Sequence, residues 1–462
     1  MHMTEPAEAE RLQGIAARLV EEARRGGADV AEASASSGWE LTAKVRLGKP
    51  ELVQEAGHKS VALRVIRSQR VAITSTSDWT DAGLRQCVSD ALELVELSEA
   101  DEFAGPADAS LLAHGPYPEL DLFDPAVDGL GADVALQKAE EAERIALDQD
   151  PRLELSEGAT MSRVSGWSAL ALSSGFSAVR RGSFASLSVV PVVEDQGGKK
   201  RRGHYWTGHR HLSGLESLEI VGRKAAERTL RQLGPRKVAT GQAAIVFEAD
   251  AARSLLSSFI GCVLGGAVWR RSSYLAEREG SRVASALVNI VDDPLIVRGP
   301  GSRVFDGEGL PSRRNVVVKD GVLETFLLDS YSARKLKRAS TGSAGRSGGG
   351  VSSSTSNLIM RAGTQTPEEL IASTPRGLYV TEMMGFGFNA VTGDFSRGAS
   401  GFWIEDGKLA FPVSEVTISS NLDQMLQNID AVASDLVLKS SMACPTLRVS
   451  EMTIAGESAP QA

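Results

Sequence analysis

Cysteine, aromatic residues and long apolar runs are all scarce in this chain of 462 residues. The three cysteines, Cys87, Cys262 and Cys444, are too few and too dispersed for a disulfide framework or a Cys-rich zinc module, and a reducing cytoplasm is the expected compartment. Aromatic residues make up 5% of the chain, which argues against the stacking platforms that single-stranded nucleic acids need. Cationic surplus is missing too. Lys and Arg number 50 against 59 Asp and Glu, so the net charge of −9 disfavours nucleic acid or any other polyanion as a partner. The uncharged stretch Ser254 to Trp269, which no other exceeds in length, falls short of the roughly 20 apolar residues of a membrane span and reads as one buried helix. The start, MHMTEPAEAERLQG, carries acids where an export signal needs basic residues and an apolar core, so no membrane or export role is expected.

What is present is ordinary globular composition, 42% apolar and 24% charged, with 46 glycines. The length suggests about three domains. In the first, Thr4 caps a helix whose apolar positions Leu12, Ile15, Leu19 and Ala23 run to a stop at Gly26-Gly27. Strand-like runs follow at LTAKVRLG and SVALRVIRSQRVAITST, then a helix capped by Thr80 that carries Leu84, Val88, Leu92 and Val95. The Asp-, Pro- and Gly-rich stretch from Glu102 to Gly131 reads as a connection. A helix at about 132–147, period-two runs from Val164 to Leu212 and a helix at 215–233 form the second unit. The third is strand-rich, with hairpins expected at Lys319-Asp320-Gly321 and Glu405-Asp406-Gly407. Between them lies a Gly/Ser-rich segment, 338–357, expected to be a mobile loop. The fold class is α+β, divided as an N-terminal α/β domain (1–103), a linker (104–130), a central α+β domain (131–234) and a β-rich C-terminal domain (235–462).

Short patterns carry little chemistry. Gly345-Arg346-Ser347-Gly348-Gly349 matches the nucleophile elbow of a serine hydrolase, but that fold needs a histidine later in the chain and the last one is His211. His204, His209 and His211 cluster, and strand spacing puts the last two on one face, where neutral imidazoles can bind zinc. The alternative is a polar strand among the cations Lys199, Lys200, Arg201, Arg202 and Arg210, which would oppose a metal dication. Arg313 and Arg314 are candidates for gripping a substrate carboxylate or peptide carbonyls, or else form ordinary salt bridges.

Three longer motifs are more specific. FDGEGLPSRRNVVV (305–318), YVTEMMGFGFN (379–389) and TGDFSRGASGFWIEDGKLAFPVSEVT (392–417), together with the terminal SEMTIAG (450–456), resemble the TldD/PmbA family, on its PmbA (TldE) side. The resemblance implies a three-domain fold and cytoplasmic proteins that work as dimers. It further implies that a TldD subunit holds zinc through His-Glu-x-x-x-His on a C-terminal-domain helix plus a cysteine, with the glutamate as general base for peptide hydrolysis. In this chain the matching window is 255–262, where Ser257 and Cys262 stand at the ligand positions and Ser258 at the glutamate. Serine hydroxyls are poor zinc ligands, and Ser258 cannot serve as base. No catalytic residue, metal site or cofactor is therefore expected in this chain, and zinc is expected in a TldD-type partner. The function so implied is the non-catalytic subunit of a zinc metallopeptidase complex that degrades or processes unfolded or modified peptides. Two readings stand beside it: a peptide-binding or scaffold homodimer without protease activity, and a metal-dependent hydrolase using His204, His209 and His211.

Overall fold

The computed structural model describes residues 5–456, so the expected Thr4 cap lies outside the described residues. Helix α1 (Glu5–Arg25) buries Leu12, Leu19 and Ala23 of the expected stripe together with Ala16. Strands β1 (Val30–Arg46), β2 (Lys49–Arg67) and β3 (Arg70–Thr76) form two successive hairpins. Their two-residue turns, Leu47-Gly48 and Ser68-Gln69, have φ between 49° and 69°, the left-handed values that match the twist of the flanking strands. Both strands exceed their sequence signal. Residues 49–59 are exposed on nearly every side chain, so no alternation marks them, and β1 before Leu41 is built from small residues of low hydrophobic contrast. Helix α2 (Asp81–Leu97) begins as expected, with the Thr80 hydroxyl accepting the Gly83 N–H.

The chain then runs through the one-turn α3 (Pro125–Asp128) into α4 (Ala132–Leu147), β4 (Leu155–Leu172), β5 (Ser177–Glu194), β6 (Lys200–Arg202), β7 (Tyr205–His209) and α5 (Leu218–Leu230). The first two sequence units contribute to one seven-stranded antiparallel sheet of order β3-β2-β1-β4-β5-β6, with β7 also on β5. Odd-numbered β1 residues face the helices: Ala31, Ala33 and Ala35 lie under α1 and α2, whereas Leu41, Ala43 and Val45 lie under α4 and α5. Of the even-numbered residues, Glu32, Ser34 and Ser36 face the C-terminal part of the chain.

That part begins with β8 (Gly241–Phe247), α6 (Ala249–Val263) and α7 (Gly265–Trp269). The single helix expected over 254–269 is broken at Leu264, which is extended (ψ 136°) and forms a bridge with Leu327. Strands β9 (Ile290–Asp292), β10 (Asn315–Lys319) and β11 (Val322–Leu323) precede α8 (Ser330–Lys335). There follow β12 (Ala344–Ser347), β13 (Gly350–Ser353), β14 (Leu358–Met360), α9 (Pro367–Ala372), β15 (Arg376–Met384), β16 (Asp394–Glu405) and β17 (Lys408–Asn421). The chain ends in α10 (Leu422–Gln427), β18 (Ile429–Val432), β19 (Met442–Ala443) and β20 (Leu447–Ala455). The sheet β17-β16-β15-β8-β20 closes on itself through β17–β20 pairing, and α6 packs Leu255, Leu256 and Phe259 into the shared core with Ile245 and Phe247. Both expected hairpins are present, turning at Asp320-Gly321 and Asp406-Gly407 with positive φ.

The Gly/Ser-rich segment is not a mobile loop. Its middle is the β12–β13 hairpin, and Thr341, Ser343 and Ala344 are buried. Its glycines serve close approach: at Gly349 (φ 85°) a Cβ would lie 2.7 Å from Ile73 of the N-terminal sheet. Arg346 from this hairpin donates to Gly307 O (2.9 Å) and pairs with Glu32 on β1 (2.6 Å), and Glu32 also pairs with Arg64 on β2 (2.9 Å). Burial would raise the Glu32 carboxyl, but the two guanidiniums outweigh it and hold the group below the ordinary carboxylate range.

Two measurements follow. Glu32→Ala leaves two buried guanidiniums facing each other, so denaturant unfolding should report a loss of about 3–5 kcal/mol; a loss under about 1 kcal/mol would mean the ion triad does not join the two parts. Glu308 is buried, beside Asp306 and Asp329 and with Arg334 near, and accepts the Ser330 N–H at 2.8 Å; burial pushes its carboxyl up to about 7. The folded state then binds a proton that the unfolded state has released above its ordinary value of 4.5. Stability from this group therefore falls as pH rises from 4.5 to 7, by about 3 kcal/mol. Glu308→Gln should flatten the slope of melting temperature against pH across that interval, relative to the parent protein.

Candidate functional site

Helix α6 follows directly from β8, with Asp250 in its first turn, where the helix dipole favours a carboxylate. Its helical period sends Ala251, Ala252, Leu255, Leu256, Phe259 and Ile260 inward and leaves Asp250, Arg253, Ser254 and Ser257 facing outward. Two adjoining cavities of about 450 and 280 Å³ lie along that outer face and share Asp250, Arg253, Ser440 and Met442. Ser257 lines the smaller. The larger runs between α5 and β7 of the central part and α6, β15 and residues 435–444 of the C-terminal part.

The three motif positions have different surroundings. Ser257 is exposed in the groove. Ser258 returns its hydroxyl to Ser254 O at 3.2 Å, the ordinary back-bond of a helical serine. Cys262, in the last turn of α6, is buried with its thiol 3.6 Å from Ser258 O and 3.9 Å from Ala390 O, and burial pushes its pKa up to about 11. A neutral, enclosed thiol and two serines do not make a zinc ligand set. Cys444 lines the larger cavity at its wall but is buried against Met360 Sδ (3.7 Å), and burial raises it as well. Among the described residues, no group of three or more His, Cys, Asp or Glu is placed to hold a metal.

Charge fills the larger cavity in pairs. Lys439 donates to Tyr205 Oη (2.7 Å), Trp206 O (3.1 Å) and Glu216 (3.0 Å), while Lys224 reaches the same tyrosine and the same carboxylate. Burial would raise Glu216, but Lys439, Tyr205 and Lys224 outweigh it and lower it. Glu248, immediately before α6, sits 2.7 Å from Arg228 and 3.7 Å from Arg231, yet its burial dominates and raises its pKa. Its Oε2 is buried without a hydrogen-bond partner. These contacts tie the central and C-terminal parts together and leave a groove of alternating charge suited to binding an extended polar chain, with no activated nucleophile in it. None of Tyr205, Glu216, Glu248 or Lys439 is marked in the sequence by a short motif; a carboxylate at the strand-to-helix step FEAD is the one signal that was there to find.

The remaining candidates do not converge. His209 Nδ1 accepts the His211 N–H at 2.9 Å, and His211 Nε2 lies 3.1 Å from both the carbonyl and the carboxylate of Asp121. The two rings are 6.1 Å apart and edge-on, and His204 is exposed just before β7 begins. The three-imidazole arrangement that strand spacing allows is thus not assembled, because β7 ends at His209 and the next residues turn. Arg313 is spent on the carbonyls of Ser340 and Thr341, and Arg314 lies 3.6 Å from Asp293. Ser347 is exposed at the β12–β13 turn, with no strand-to-helix elbow around it.

Comparison with known proteins gives the chain its family. Residues 31–95, 126–233 and 240–456 match, in order, PmbA/TldA metallopeptidase domain 1, central domain and C-terminal domain. The chain is 35% identical over 432 residues to the metalloprotease PmbA of Escherichia coli O157:H7, covering 94% of this chain and 93% of that one. It is 32% identical to the metalloprotease PmbA homolog of Haemophilus influenzae, covering 97% of both chains. A crystal structure of a putative modulator of DNA gyrase from Bacteroides thetaiotaomicron superposes with a TM-score of 0.90 at 27% identity, covering 99% of this chain and 100% of that one. TldE from Thermococcus kodakarensis shares the fold, with a TM-score of 0.86 at 20% identity, over 96% of this chain and 100% of that one. By its three matched domains, its relatives and its fold, the chain belongs to the TldD/PmbA metallopeptidase family.

Proposed function

We propose that this chain is a non-catalytic, TldE/PmbA-like subunit of a TldD-type zinc metallopeptidase complex acting on unfolded or modified peptides in the cytoplasm. What supports the reading is the α6 window, where Ser257, Ser258 and buried Cys262 stand, by the family resemblance, at the positions of a ligand, a base and a ligand. The helix and its groove remain; the donor set for zinc does not. Hydrolysis then belongs to the partner, and this chain supplies a wall of the peptide-binding chamber. In Haemophilus influenzae a metalloprotease PmbA homolog and a metalloprotease TldD homolog coexist, which is the pairing the reading requires. A docking surface is at hand beside α6. The loop between β15 and β16 is anchored by Ala390 O, which accepts the Tyr274 N–H, while Met384, Phe386 and Val391 stand exposed, Phe386 completely.

Three outcomes are expected when the purified chain is mixed with a TldD homologue from the same genome. Metal analysis should find no stoichiometric zinc in this chain alone and about one per heterodimer. Cleavage of an unfolded peptide should require both chains and stop with a chelator. Zinc bound by this chain alone, or cleavage without the partner, would refute the assignment; pairing with itself alone would favour a scaffold homodimer instead. Phe386→Asp should weaken pairing at least 10-fold in sedimentation or titration, because it sets a charge at the centre of an apolar contact, with the melting temperature of the single chain unchanged. Ser347→Ala should leave turnover of the assembled complex unaltered.

A further inference from the structure

The face of the N-terminal sheet opposite its helices holds a further cavity, of about 260 Å³, bounded on the other side by Phe305 to Gly307 and the β12–β13 hairpin. Strand register sets its floor. Ser60, Ser36, Ser168 and Arg180 are directly opposed in turn across β2, β1, β4 and β5, so their side chains form one row on one face. Arg180 lines this cavity and is exposed to solvent, and the surrounding protein partly desolvates its guanidinium. Its Nε donates to Ser168 Oγ at 2.9 Å, and the guanidinium lies 5.9 Å from the Phe305 ring. Among the described residues no carboxylate is within ion-pair distance of it.

Its charged neighbours are mostly of its own sign. Arg303 opposes it, and so does Arg210; both are desolvated, and Arg303 Nε is buried without a hydrogen-bond partner. The other cation of the lining, Arg346, is committed to Glu32 and to Gly307 O. The one acid in the lining, Asp306, has both oxygens engaged by backbone N–H groups, of Glu308 and Leu310 on one and Ala344 on the other. A partly desolvated guanidinium with free Nη donors, beside a row of hydroxyls and away from any counter-ion, is suited to a planar oxyanion, which it can hold through two parallel hydrogen bonds.

We infer that this cavity is a carboxylate-binding site, in which Arg180, with Ser168 and Ser36, holds the C-terminal carboxylate of a short peptide. The choice of a peptide rests on the proposed function above; the oxyanion chemistry does not. Asp306 across the cavity favours a monoanion over a dianion such as phosphate, and the Phe305, Leu170 and Ala62 walls suit an apolar terminal side chain. The volume admits about one or two residues.

The test uses the full chain without a partner, so that its result is independent of pairing and cleavage. Titration calorimetry should show that acetyl-Ala-Leu with a free carboxylate binds, and that its C-terminal amide binds at least 10-fold more weakly. Arg180→Gln should cost the acid at least 10-fold and leave the amide unchanged, with melting temperature equal to or above that of the parent protein. Arg180→Lys should recover part of the loss, and Ser168→Ala should weaken the acid severalfold should Arg180→Gln not fold. Equal binding of acid and amide, or an acid indifferent to Arg180→Gln and Ser168→Ala, would overturn the inference. Inorganic phosphate binding more tightly than the peptide acid would overturn its peptide part.

Discussion

Alternation along β1 is the constraint from which the rest of the molecule is organised. With β2 on one side and β4 on the other along most of its length, β1 can present only two sets of side chains. The odd set is apolar at both ends and is covered there by two helix pairs. The even set carries Glu32, Ser34 and Ser36 toward the C-terminal part. A slip of one residue would send Glu32 under the helices and Ala33 into the polar interface, so the register is specified twice over.

The junction that results is polar at one point and close-packed around it. Glu32 stands between Arg64 of its own sheet and Arg346 of the β12–β13 hairpin, and two cations against one anion leave positive charge in the interface. A buried triad of this kind adds little net stability over an apolar substitute, but it penalises any arrangement that separates its members. The hairpin can reach Glu32 only because glycine lets its backbone lie against Ile73. Composition that suggests flexibility here serves close approach.

This distinction explains what the sequence allowed one to read. Helix α2 was legible because the side-chain cap at Thr80 coincides with an apolar stripe. The hairpins at Asp320-Gly321 and Asp406-Gly407 were legible because their φ values demand those residues. Residues 49–59 were not, since a strand exposed on both faces has no period to detect, and neither was the break at Leu264, which depends on a bridge to Leu327 far along the chain. The α6 window was legible only through resemblance. The Tyr205–Glu216–Lys439 network was beyond reach, because it joins residues 11 to 234 positions apart whose types are common on any surface.

Helix α6 also shows why a fold of this kind can hold one surface while the chemistry on it differs. Its inward residues, Leu255, Leu256, Phe259 and Ile260, belong to the largest core of the molecule, and replacing any of them leaves a cavity that costs several kcal/mol. Its outward residues bear on no such packing. Ser257 touches the groove and Ser258 folds back on its own helix, so at those two positions the scaffold accepts serine or a zinc-binding set with little effect on the core. Cys262 is different. It is buried with Val263 at the point where the helix breaks, and a histidine there needs more room than this packing leaves. A zinc ligand set at these positions would therefore need a change in the core at Cys262 as well as in the groove at Ser257.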